Sequence, residues 1–89
     1  MTLVNQTGLG QPTANRFQRL FGLTAAEARL ALEMMRGLRL REAAEALGIE
    51  MPMARSQMVS IFVKTGTQHQ NELIALLLRL TQVRFEARA

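Results

Sequence analysis

The sequence contains no cysteine. That excludes disulfides, thiolate nucleophiles and zinc–cysteine centres, and nothing then calls for an oxidising compartment, so a cytoplasmic setting is the expectation. Tyrosine and tryptophan are also absent, and the one lysine is Lys64. With so little to titrate between neutrality and the arginine range, a sequence pI of about 11.4 overstates a net charge of only +4. The first ten residues lack a basic segment leading into a long apolar run, so no secretory signal is expected. The apolar run at residues 73–80 is broken by Arg79 and is far shorter than the ~20 residues of a membrane span, so a soluble chain is expected. No Gly-rich phosphate loop, Ser-His-Asp set or carboxylate pair on a common face is present, and His69 has no second histidine or cysteine to share a metal with. Eighty-nine residues make one small domain without room for a deep catalytic cavity. The expectation is a protein that is not an enzyme and needs no metal or cofactor.

What is present is arginine, which supplies ten of the eleven cations and suits bidentate contacts to phosphate. The chain is organised around residues 39–66, which read as two helices joined by a sharp turn. Arg41-Glu42-Ala43-Ala44-Glu45-Ala46-Leu47 is built from strong helix formers, and Gly48 stands where the chain must leave the helix with positive φ. Ile49 plugs the turn. Glu50 can accept from the free amides of a second helix, from about Met51 to Lys64, and Pro52 falls in its first turn, where a missing N–H is harmless. Ala54, Met58 (or Gln57) and Ile61 form the packed face of that helix, opposed by Ala43 and Leu47. The other face presents the guanidinium of Arg55, the hydroxyls of Ser56 and Ser60 and the methyl groups of Val59, with Val63 also pointing away from the core. Guanine offers two acceptors in the major groove and thymine a methyl group, so these chemistries suit base edges. A plain helical hairpin in a core is the alternative.

Elsewhere, residues 1–13 have turn composition and read as an arm, a linker or a simple terminus. A short helix beginning at Thr13 or Asn15 carries Phe17, Leu20 and Phe21 inward and Arg16 and Arg19 outward, and ends at Gly22. Leu23-Thr24-Ala25-Ala26-Glu27 is a capping box, with Leu23 placed to staple onto Ala28. Leu30, Ala31 and Met34 continue an apolar stripe to Gly37. Arg36, Arg39 and Arg41 cluster before the helix pair, either against a duplex backbone or as a solvated loop, and Arg39 is a poor N-cap, which predicts a helix start less well defined than the one at Thr24. Lys64 and Gly66 close the second helix of the pair. The last helix, from about Gln70 to Leu80, puts Leu73, Leu76, Leu77 and Leu80 on one face and a surplus pair, Ile74 and Leu78, on another, which points to a partner. Met34, Met35, Met51, Met53 and Met58 read as gap fillers in and around a small core.

Taken together, residues 23–80, about two thirds of the chain, resemble the DNA-binding domain of LuxR-type transcription regulators. The carriers are Leu23-Thr24-Ala25-Ala26-Glu27, Gly37-Leu38, Glu42-Ala43-Ala44-Glu45-Ala46-Leu47-Gly48-Ile49, Ala54-Arg55-Ser56-Gln57, Ile61, Lys64-Thr65-Gly66 and Glu72-Leu73-Ile74. The resemblance implies an all-α fold of four helices whose third reads the major groove and whose fourth commonly dimerises. Here a short extra N-terminal helix or arm precedes it (residues 1–22), the domain spans residues 23–82, and residues 83–89 form a tail. By position the resemblance makes Arg55, Ser56 and Val59 base contacts and Lys64 a phosphate contact; Arg39, Arg41 and Ser60 are further candidate phosphate contacts, and the surplus apolar pair Ile74 and Leu78 is the candidate dimer interface. The chain departs from the pattern near Arg39, where Ser or Thr is usual, at Gln57, where histidine is usual, and at Met58 or Val59, where a basic or polar residue is usual. Family members often carry an N-terminal receiver or sensor domain, so the chain reads as an excised output domain or a stand-alone regulator. The resulting expectation is a sequence-specific regulator that binds double-stranded DNA at an inverted repeat as a homodimer. A module of the same fold that docks RNA polymerase or another regulator is the alternative.

Overall fold

The computed structural model describes the backbone of residues 11–88 and the side chains of residues 13–81. Five helices and no strand are present among them: α1 (Gln11–Phe21), α2 (Ala25–Met35), α3 (Leu40–Leu47), α4 (Met51–Thr65) and α5 (Gln70–Arg88). The fold is all-α, and no helix among the described residues is long and apolar enough to cross a membrane. Expectations for residues 1–10 and for side chains beyond residue 81 lie outside what is described.

Helix α1 starts at Gln11, ahead of the expected Thr13 or Asn15, with Pro12 in its first turn. It is a working part of the core, because Ala14 and Phe17 are buried and Phe21 packs beside them, its ring centroid 6.4 Å from that of Phe17. Leu20, expected inside, is instead 52% exposed. Ala14, Phe17 and Phe21 recur at spacings of three and four and share one seam, whereas Leu20 lies about 90° around the helix from it.

The start of α2 is fixed by both halves of its capping box. The Glu27 amide donates to the Thr24 hydroxyl (3.0 Å) and the Thr24 amide donates to Glu27 Oε1 (2.9 Å). Leu23, Ala28, Leu30, Ala31 and Met34 are all buried as the stripe predicts. The start of α3 is better defined than Arg39 alone suggests, because the Arg39 amide donates to Glu42 Oε1 at 2.8 Å. One half of a capping box is thus made without a capping side chain.

The turn between α3 and α4 depends on Gly48, whose φ of 72° lies in the left-handed region that side chains disfavour. Its conformation lets the Ile49 amide donate back to the Ala44 carbonyl (3.0 Å), which closes α3 and redirects the chain. Gly66 (φ 72°) repeats the device after α4, with the Thr67 amide donating to the Phe62 carbonyl at 3.0 Å. Glu50 precedes α4 as expected, but its side chain makes no capping bond, so α4 begins on backbone geometry and Pro52. On α5, Leu73 and Leu77 are fully buried and Leu80 packs against the core, while Leu76 is only half-buried.

Candidate nucleic-acid interface

The arrangement of α4 follows from its buried side. Ala54, Met58 and Ile61 are sequestered against α2 and α3, where the small Ala43 and Ala44 allow close approach of the helices. Holding that side inward turns Arg55, Ser56 and Val59 outward, and all three are exposed. At about 100° per residue, Arg55, Pro52, Val59, Val63 and Ser56 share an outer face roughly 100° wide. Helix α4 contains no carboxylate, so an anionic surface meets no like charge on it. Arg39 and Arg41, at the start of α3, are also exposed.

Ser60 and Lys64 lie beside Glu27. The Lys64 ammonium donates to Glu27 Oε1 at 2.8 Å, joining the last turn of α4 to the first turn of α2. Burial alone would raise the pKa of the Glu27 carboxyl, but the Lys64 ammonium, the nearby Ser60 hydroxyl and the Thr24 amide outweigh it and lower that value from 4.5 to about 2. The Glu27 side chain is 9% exposed and that of Lys64 33%. Lys64 therefore fixes the pitch of α4 first, and any phosphate it meets must share its remaining N–H groups with this carboxylate. Residue-by-residue reading did not find this contact, because Glu27 was already accounted for by its capping box. A signal existed: Glu27 is three and four residues from Leu30 and Ala31, which places it on the buried face of α2.

Two hollows border the α3–α4 turn. An open depression at the α3–α4 turn is lined by Gly48, Ile49, Glu50, Pro52, Met53 and Ser56, with Met53 among the exposed large apolar residues. A smaller hollow of about 60 Å³ lies between Ala26, Arg29, Leu47, Ile49 and Gln57. There the Gln57 Oε1 atom is buried without a hydrogen-bond partner among the described residues.

On α5, Ile74 and Leu78 are half-buried and lie apart from the buried cluster that Leu73 and Leu77 join. They sit one helical turn apart, outside the core formed by the described residues.

No protein-family model, curated protein or solved structure matches this chain. Its function is therefore read from these residues.

Proposed function

We propose that this chain is a transcription regulator that binds double-stranded DNA in a sequence-specific way, has no catalytic activity and acts in the cytoplasm. The observation that carries this reading is the α3–α4 pair, in which a helix held by its back presents an outer face bearing Arg55, Ser56 and Val59 and no carboxylate. A helix of about 10–12 Å diameter fits a major groove about 12 Å wide. Arg55 supplies a fork for guanine, Ser56 a hydroxyl and Val59 methyl groups, while Arg39 and Arg41 are available to phosphates. On this reading the fold is of the LuxR type that the sequence resembles, with α4 as its reading helix. Ile74 and Leu78 would pair two copies across a two-fold axis, which makes the target an inverted repeat.

A second reading rests on the exposed Met53, Val59 and Val63, whose apolar surface would also suit a protein such as RNA polymerase or another regulator. Selection of genomic fragments by the purified chain separates the two. Enrichment of a common sequence supports DNA recognition, and failure to retain any fragment at low salt favours protein docking.

A further inference from the structure

The outer face of α4 holds apolar surface that the fold does not use. Val59 is 61% exposed and Val63 75% exposed, and neither belongs to the core or packs against it. Both are β-branched, which lowers helix propensity, so local helix stability does not favour them at these positions either. They lie four residues apart on one side of the helix, with Ser56 and Arg55 on their flanks. That spacing is about 6 Å along the axis. Successive base pairs are about 3.4 Å apart, so two methyl-bearing side chains at this spacing span about two base-pair steps.

Resting on the DNA-binding reading above, we infer that Val59 and Val63 recognise the 5-methyl groups of thymines, so that the preferred half-site carries thymine at the positions these two residues face. Thymine is the one standard base with apolar surface in the major groove, and a valine methyl gains nothing from the acceptors of guanine or the amino group of cytosine. Duplex DNA is favoured over an apolar protein groove as the occupant because the same face carries the cationic fork of Arg55 and α4 has no carboxylate, a charge pattern complementary to a polyanion. Val63 thereby joins Val59 as a specificity residue. The recognition is by shape and desolvation and leaves phosphate contacts to the arginines.

The test uses the full 89-residue chain and a duplex that it selects from a random-sequence pool. The selected duplex is synthesised with thymine and again with uracil, which removes only the 5-methyl groups and leaves base pairing intact. Affinity should fall about four-fold for each contacted methyl lost. Val59→Ala and Val63→Ala should each lose the thymine–uracil difference at its own position while keeping wild-type helicity, since both side chains stand outside the core. Equal affinity for the two duplexes, selected sites without thymine, or variants that keep the full difference would overturn the inference while leaving DNA binding intact. Failure to retain any duplex at low salt would instead remove the DNA-binding reading, and this inference with it.

Discussion

Glu27 and Lys64, 37 positions apart in the sequence, meet at 2.8 Å and tie the N-terminus of α2 to the C-terminus of α4. Because the same Glu27 oxygen also accepts from the Thr24 amide, one carboxylate sets both where α2 begins and how α4 is tilted.

This bond should make stability depend on acid. The folded-state pKa of Glu27, about 2, is below its ordinary 4.5, so the stabilisation is complete above about pH 4.5 and is lost as pH falls toward 2. Its size is about 1–3 kcal/mol, allowing for the partial exposure of Lys64. Thermal melts followed by circular dichroism should show Glu27→Gln less stable than wild type at pH 7 and close to it at pH 2. A constant difference across that range would mean that the ion pair contributes little.

The outward position of Arg55 leads to a prediction about specificity. Arg55→Ala should lose ~1–3 kcal/mol of discrimination at one base position while leaving binding to unrelated duplexes nearly unchanged. Competition binding against single-base variants of the selected site measures this directly. An equal loss for every duplex would reassign Arg55 to the phosphate backbone.

Ile74 and Leu78 are half-buried on a flank of α5. Leu78→Glu should keep its helicity but lose cooperative occupation of paired half-sites. Gel shifts on whole and half sites, together with sedimentation of the free protein, check both points. Retained cooperativity would return these residues to the core or to a different partner.

Gln57 provides a test of packing without DNA. Its buried Oε1 makes no hydrogen bond among the described residues, and such an atom carries a desolvation penalty of about 1–3 kcal/mol. Gln57→Met, similar in length and apolar, should therefore raise stability by about 1 kcal/mol. A lower melting temperature would show that the amide is satisfied.

The elements that the sequence made legible are those governed by neighbours in the chain. Thr24 and Glu27 are three residues apart, Gly48 and Gly66 close helices through their own dihedral angles, and Ala54, Met58 and Ile61 recur at helical spacing, so all could be placed without tertiary information. The misplaced features depend on packing or on competition between local partners. Leu20 has the apolarity of a core residue, but Phe17 and Phe21 occupy the seam. Glu50 has a capping side chain that goes unused, whereas Glu42 ties down the Arg39 amide that no cap was expected to serve. The pairing of Lys64 with Glu27 was not legible because its partner lies two helices earlier in the chain, and it leaves the other N–H groups of the ammonium for a phosphate. At the candidate interface, periodicity supplied the outer face of α4, but the pairing of Lys64 with Glu27 required the packed structure.

The most direct test of the central proposal is the salt dependence of binding to duplex DNA, measured by fluorescence anisotropy with the selected site. If about three cationic groups per protomer meet phosphates, the logarithm of the association constant should fall linearly with the logarithm of salt concentration, with a slope of roughly −3 per protomer. Absence of binding at low salt, or binding indifferent to salt, would contradict the proposal.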